Sequence, residues 1–461
     1  MAVYAYESGN KELANNLVNF TDNFGNGYLD GKKVITKATI DKIDDIRVEG
    51  FVDAFTPATY SDPMSDAFIN SGNQISDNDQ QREVLDKYVA QHDLSKKEID
   101  LVQKFYLKEI TPKELKDGLD KKSRDSLIVD VFVGFDGTDN NMKWDYDVPV
   151  DDATENKTTP ITKETNIVRI FKDIYGDEDY NDVNKKYIDG VGSKRLFSED
   201  MTFDDLCLIS GCGAKSRIGE AIDHIQTVSK ANPNKIILVD SSGFSRGAAI
   251  ARDFVNRVNE KGITGVSPQS FDTRSLMTFD TVASFGKPGN DINMGYDLAT
   301  INNPTMSVFH AVAQDEIRNN FPLSSIKYSD GTLPNNHYEQ EFMGAHSDNG
   351  GSYPFKKDLS YQALEWMVNN ARDIAGAPLK EVPNQYQTSG YFNYDYNNYQ
   401  NSLNNHKDNP SAANKENLNR QYQIMIDNYT HRSDSDGTWK FWNYSNDNGR
   451  DIYYPNDKAR P

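Results

Sequence analysis

The stretch "KIILVDSSGFSRGAAIARDFVNRVNE", residues 235–260, decides the fold. Its first half is a short apolar run rich in Ile and Val, the composition of a buried strand. Its second half spaces Ala, Ile, Phe and Val at three- and four-residue intervals, the period of a helix with one buried face. Between them stand Gly243, Ser245 and Gly247 in the arrangement G-x-S-x-G. Strand, sharp turn and helix is the geometry that lifts a serine hydroxyl away from a parallel sheet, with the first helix amides lying where an oxyanion would form. Flanking glycines let two backbones pass closely there. Ser245 is therefore a candidate nucleophile, against the plainer reading of a helix N-cap serine.

The same texture extends to either side. Short apolar runs at 127–135, 185–193, 235–240, 274–281 and 338–346 end in small or acidic residues. Helical patterns lie between most of them: "TNIVRIFKDI", "SRIGEAIDHIQTVSK", "AAIARDFVNRVNE" and "VFHAVAQDEIRNNF". This alternation predicts an α/β unit over residues 123–381, a mainly parallel sheet with helices on both faces. Residues 1–122 read as a separate, mainly helical N-terminal region, with "KELANNLVNF" and "SKKEIDLVQKFYLKEI" as helices. Within it, "DNFGNGYLDGKK" (22–33) sets Asp22, Gly27 and Asp30 near calcium-loop positions, but Phe24 and Lys33 stand where ligands belong, so it reads as a surface turn. Residues 382–461 form an Asn- and Tyr-rich C-terminal extension, a candidate flap with a helix near 415–427, packing on the α/β unit.

Composition narrows the function. Seventy acidic residues against fifty basic ones give this 461-residue chain a formal charge of −20. That excess excludes nucleic acid as a partner and argues against electrostatic docking on anionic lipid, leaving peripheral, local and apolar contact with a membrane. No run approaches the length of a spanning helix, and the first twenty residues lack the basic and apolar regions of a Sec signal. Cys207 and Cys212 are the only cysteines, read as two small buried thiols rather than a disulfide framework. "SGCGAKSRIG" (210–219) departs from a phosphate loop at Ile209 and Ala214, and neither H-E-x-x-H nor a paired C-x-x-C occurs. The expectation is chemistry with no metal and no cofactor.

A serine nucleophile needs a histidine to take its proton and a carboxylate to hold that histidine, and in parallel sheets such groups gather at the carboxyl ends of strands. Two strand ends fit: "SLMTFDTVASFG" places Asp280 and "EQEFMGAHSDNGGSYPF" places His346. Taken singly, Asp280 also reads as a helix N-cap and His346 as a buried, hydrogen-bonded histidine. The order Ser, Asp, His is that of α/β-hydrolases. Of the seven histidines, His92, His337 and His406 sit in polar surroundings, and His224 and His310 fall within helical patterns. His431 in "NYTHRS" is the rival base, but "QIMIDNY" before it is helical, whereas a strand end delivers a base more rigidly. The first strand ends in "GFDGTDNN", where Gly137 and Thr138 are candidate oxyanion-hole donors beside the amide of Arg246, with Asp136 orienting the loop. The plainer alternative is an Asp-Gly turn without chemistry.

Several segments together resemble one family. "FVGFDGTDNN", "TNIVRIF", "YIDGVGS", "GFSRGAA", "FDTVASFG", "FHAVAQDEIRNNFPL", "FMGAHSDNGGSY" and "LSYQALEWMVNNA" occur in the family's order over about 130–373. They resemble the α/β-hydrolase domain of bacterial type VI secretion phospholipase effectors, the Tle lipases. The resemblance implies hydrolysis of glycerophospholipid acyl esters, of phospholipase A type, by a triad of Ser245, Asp280 and His346. It further implies delivery into a neighbouring cell with a secretion spike or tube component, and an immunity protein in the producer. Two other readings stay open: a cytosolic carboxylesterase or lipase without an antagonistic role, and a non-enzymatic binding protein on a hydrolase fold.

Overall fold

Six parallel strands form the central sheet in the order β2-β1-β3-β4-β5-β7. They are β1 (Ile128–Phe135), β2 (Lys185–Ile188), β3 (Ile236–Phe244), β4 (Phe271–Phe279), β5 (Ser307–Ala313) and β7 (His337–Phe342). These come from a computed structural model that describes residues 92–142, 163–176, 184–193, 213–431 and 450–459, apart from short breaks at 234, 264–265, 267–270, 286–288, 290–292 and 302. The turn read at 22–33, the helix at "KELANNLVNF", and Cys207 and Cys212 lie outside the described residues.

The sheet is buried on both faces, which is why its strands read as continuous apolar runs. Strand β1 shows the division. Val129, Val131, Val133 and Phe135 join one core with Ile218, Ile222 and Ile225 of helix α5 (Ala214–Ala231) and Phe254 and Val255 of helix α6 (Arg246–Lys261). Phe132 points the other way, with Phe244, Met277 and Phe309, against Ala363, Leu364 and Met367 of helix α8 (Asp358–Ala375). Each large apolar side chain buried in this way contributes about 1.5–3 kcal/mol. Helix α4 (Asn166–Arg169), continued by a π turn at Ile170–Ile174, lies on that second face.

Three short helices, α1 (Lys96–Tyr106), α2 (Pro112–Gly118) and α3 (Lys121–Leu127), close the start of the sheet. Val102, Phe105 and Leu115 pack there on Ile128 and Ile236, the first residues of β1 and β3. At the other end of the chain the Asn- and Tyr-rich stretch is helix α9 (Gly390–Asp408), paired with α10 (Ala412–Tyr429). Phe392 and Tyr399 are buried between these helices and Met343 and Leu359. A final strand β8 (Ile452–Tyr453) pairs in parallel with the short β6 (Leu323–Ser324).

One element differs from expectation. The run "VFHAVA", read as the start of a helix, is β5, with every residue from Ser307 to Ala313 buried. A strand covered on both faces shows no alternation, so its apolar run cannot be told from a buried helix by period alone. His310 is accordingly a strand residue, and His337, placed in polar surroundings, opens β7 as a buried residue.

Buried charge also crosses the sheet. Arg274 on β4 makes two ion-paired hydrogen bonds to Asp240 on β3 and a third, 2.5 Å, to Asp130 on β1. Asp240 accepts further bonds from Ser275 Oγ (2.6 Å) and the Tyr175 hydroxyl (2.7 Å). Such a group survives in a core because every charge has a partner.

Candidate active site

The turn between β3 and α6 is strained. Ser245 has φ 57° and ψ −124°, a conformation that L-residues adopt rarely and only where the surroundings enforce it. The enforcement is close packing. A Cβ on Gly243 would stand 2.5 Å from Ala248 Cα, and one on Gly247 would overlap the carbonyl oxygens of Phe135 and Asp136. The two glycines of the motif thus let helix α6 start against the end of β1. The elbow is also tied sideways to β4: Ser245 N donates to Phe279 O (3.0 Å) and Val282 N donates to Ser245 O (3.3 Å).

Asp280 follows β4 at φ 40° and is fully buried. Its backbone N–H donates to Ala311 O at 2.7 Å, which fixes the turn on β5. Its carboxylate receives four side-chain and backbone donors. Ala313 N reaches Oδ1 at 2.8 Å and His346 Nδ1 reaches Oδ2 at 2.6 Å. Arg450 donates to both oxygens, Nη1 to Oδ2 at 2.7 Å and Nη2 to Oδ1 at 2.5 Å. Burial alone would raise the pKa of this carboxyl, but Arg450 and then His346 outweigh it and hold Asp280 well below the usual carboxylate range.

His346 is the first residue of the short helix α7 (His346–Gly350) and is buried. Its ring is held between Phe244 (centroids 4.7 Å apart) and the edge of Phe321 (5.0 Å), and its backbone N–H donates to Glu316 Oε2 at 3.2 Å. Glu316 is itself gripped by Arg318, at 2.9 and 2.7 Å, whose guanidinium lies 3.6 Å above the Phe321 ring. Burial pushes the His346 pKa down, against the upward pull of Asp280. The ionised Asp280 assigns the ring proton to Nδ1, leaving Nε2 as the acceptor.

The loop after β1 is a separate network. Asp136 Oδ1 accepts from the Gly137 amide at 2.7 Å, and Oδ2 accepts from Thr165 Oγ1 (2.9 Å) and the Tyr187 hydroxyl (2.7 Å). Arg246 Nη1 donates to Thr138 Oγ1 at 2.7 Å, joining this loop to the residue after Ser245. The Gly137 amide is therefore engaged by Asp136, whereas Thr138 and Arg246 face one another across the start of α6.

His431 has a carboxylate of its own. Its Nδ1 lies 2.5 Å from Asp348 Oδ1, its backbone N–H donates to Asp348 Oδ2 at 3.0 Å, and its ring stacks on Tyr353 at 3.9 Å. His310 lies beneath the Asp280 turn. It takes a hydrogen bond from Thr281 N at Nε2 (3.1 Å), while Nδ1 faces Glu339 Oε2 at 2.9 Å.

Arg450, Glu316, Phe321 and His310 escaped the sequence reading. Glu316 and Phe321 fall inside "FHAVAQDEIRNNFPL", whose helical appearance hid them, and Arg450 sits in a polar segment without pattern. Among the described residues no group of three or more His, Cys, Asp and Glu side chains is placed to hold a metal, and no helix is long and apolar enough to cross a membrane.

Residues 259–370 match a family described as "T6SS, Phospholipase effector Tle1-like, catalytic domain". That stretch includes Asp280 and His346 and begins shortly after Ser245. No curated protein matches the chain. Among solved structures, an uncharacterized protein from Pseudomonas aeruginosa is 20% identical, with a TM-score of 0.44 over 70% of this chain and 56% of that one. A Tle1 effector bound to the VgrG spike of the type 6 secretion system is 24% identical, with a TM-score of 0.33 over 49% of this chain and 51% of that one. The chain thus spans little more than half the length of either structure. Residues 259–370 are thus similar to the catalytic domain of the Tle1-like phospholipase effectors of type VI secretion, the family the chain's motifs resemble.

Proposed function

We propose that the chain is a serine hydrolase that cleaves acyl esters of glycerophospholipids. The observation that carries this reading is the 2.6 Å contact of His346 Nδ1 with Asp280 Oδ2, beside a serine strained at φ 57° on a strand-to-helix elbow. In this reading His346 Nε2 takes the proton of Ser245 Oγ as that oxygen attacks the ester carbonyl carbon. Asp280 stabilises the imidazolium so formed. The amides of Arg246 and Thr138 receive the oxyanion, on a loop that Asp136 holds in place. Collapse breaks the bond to the lysophospholipid oxygen, which leaves with the proton from His346. Water, deprotonated by the same histidine, then attacks the acyl-enzyme and releases a fatty acid. The chain's own residues supply each of these steps.

The family match supports a role as an antibacterial effector, with a secretion spike or tube component and an immunity protein as partners. The test is lipid chemistry. Purified protein with phosphatidylethanolamine vesicles should release free fatty acid and lysophospholipid, and a fluorophosphonate should label Ser245 alone. Equal fatty-acid release by Ser245→Ala would overturn the mechanism.

A further inference from the structure

The C-terminal segment reaches into the site. Arg450 has a side chain only 6% exposed, and its two terminal nitrogens form a fork on the Asp280 carboxylate. The same nitrogens donate to main-chain oxygens, Nη2 to Ala313 O at 2.9 Å and Nη1 to Phe321 O at 3.4 Å. One guanidinium therefore joins the turn after β4, the end of β5 and the residue whose ring edges His346.

The segment is firmly seated. Leu323 N donates to Asp451 O and Ser325 N to Tyr453 O, both at 2.9 Å. Buried Asn456 accepts from Thr300 N (2.7 Å) and donates to Ile326 O (2.7 Å). The Tyr453 hydroxyl donates to Gly289 O at 3.2 Å.

We infer that Arg450 is a positioning residue for the Asp280–His346 pair, and that the segment 450–459 belongs to the working site. The inference rests on the hydrolase reading and deepens it. A carboxylate held only by one amide and one imidazole can rotate about its Cβ–Cγ bond. A planar two-pronged cation sets the carboxylate plane, and with it the direction of the oxygen that orients the ring. The charge has a second effect. It stabilises ionised Asp280 and, by Coulomb repulsion, opposes a proton on His346, whose imidazole burial already makes less basic. The other charged groups around the pair are Glu316 and Arg318 beside His346, Asp315 and Asp348 bonded to the backbone of Gly344 and Ala345, and the His310–Glu339 pair with Arg252 beneath the Asp280 turn. None of these reaches the carboxylate of Asp280 in a fork.

The experiment compares the full chain with Arg450→Gln and Arg450→Lys on a short soluble ester, with the His346 ring followed by NMR titration and assigned through His346→Ala. Arg450→Gln should lower kcat by about 10²-fold with little change in KM. The acid limb of its kcat/KM profile and the His346 titration should both move to higher pH by about one unit. Arg450→Lys keeps the charge without the fork, so its limb should stay near the wild-type position while kcat still falls. A folded Arg450→Gln with wild-type kcat and an unmoved limb overturns the inference. So does a loss of activity matched by an equal loss of phosphonate-reactive sites with no shift in the limb, because that is a purely structural role. Should Arg450→Gln fail to fold, wild-type kcat in Arg450→Lys overturns it equally. If the wild-type chain cleaves no ester, the hydrolase reading fails, and the His346 titration in Arg450→Gln still decides whether Arg450 governs the pair.

Discussion

The ring of His346 rests on the ring of Phe244, centroids 4.7 Å apart, and Phe244 is the residue immediately before Ser245. The histidine is therefore registered against the elbow by packing as well as by its carboxylate. His346→Ala should lower turnover nearly as far as Ser245→Ala, by roughly 10⁴- to 10⁶-fold, because members of such a unit do not contribute additively. His431→Ala, which removes the pair with Asp348 and the stack on Tyr353, should keep activity within about tenfold of wild type. Steady-state kinetics on a soluble ester separates the two; a dead His431→Ala beside an active His346→Ala would reverse the assignment.

The pH response follows from burial. His346 is pushed below the ordinary imidazole value of 6.5 and must be neutral to accept a proton, so the acid limb of kcat/KM should lie below pH 6.5. A profile with its limb above that value would contradict the buried ring.

Stability should respond in two stages. His346, His310 and His337 are all lowered by burial, so the unfolded chain binds more protons than the folded one below about pH 6.5, and stability falls as pH drops through that window. Asp280 and Glu339 are held below their ordinary values of 3.8 and 4.5, so their contribution is present above those values and is lost as pH falls further. Asp253 and Asp315, raised by burial, act in the opposite sense above about pH 3.8, where the folded chain takes up their protons first, and so partly offset the first stage. Tm measured from pH 7 to pH 3 should fall continuously, and a Tm that rises on acidification would refute the assignment.

Gly247→Ala should cost about 3 kcal/mol or prevent folding, since the added methyl meets the main-chain oxygens of Phe135 and Asp136, which have no room to move. Gly390→Ala is the matched control. Nothing lies within 4 Å of its added Cβ, and it should be neutral or stabilising by up to about 1 kcal/mol. Urea denaturation of both variants reads the difference.

Arg274→Met leaves buried Asp240 without a cation and Asp130 with Lys116 alone, 3.3 Å away, and should cost about 3–5 kcal/mol. Folded at low temperature, the variant should retain near-normal kcat, since the cluster lies inside the sheet away from the turns that carry Ser245 and Asp280. A milder loss in denaturant unfolding would mean that water reaches this cluster.

The architecture was legible wherever an apolar run ended in a small or acidic residue, as in 127–135, 235–240 and 274–281, which mark β1, β3 and β4, although β3 continues to Phe244 and β4 already ends at Phe279. It was illegible at β5, where "VFHAVA" is buried on both faces and runs into "QDEIRNN", whose spacing prolongs a false helical period. The same rule divides the site. Ser245, Asp280 and His346 each follow a strand, and their strand ends and chain order make them candidates in the sequence. Arg450, Glu316 and Phe321 come from irregular segments whose positions are set by tertiary contacts, and no local pattern encodes those.

Asp280 draws its partners from far along the chain: Ala313 is 33 residues away, His346 66 and Arg450 170. Closing loops of increasing length costs entropy that local contacts cannot offset, so the shortest closure comes first and the Arg450 bridge is entropically the last. On the proposed mechanism, catalytic competence then marks the end of folding rather than its onset. During refolding, helix content should return before phosphonate reactivity, and the lag between them times the arrival of the final tether.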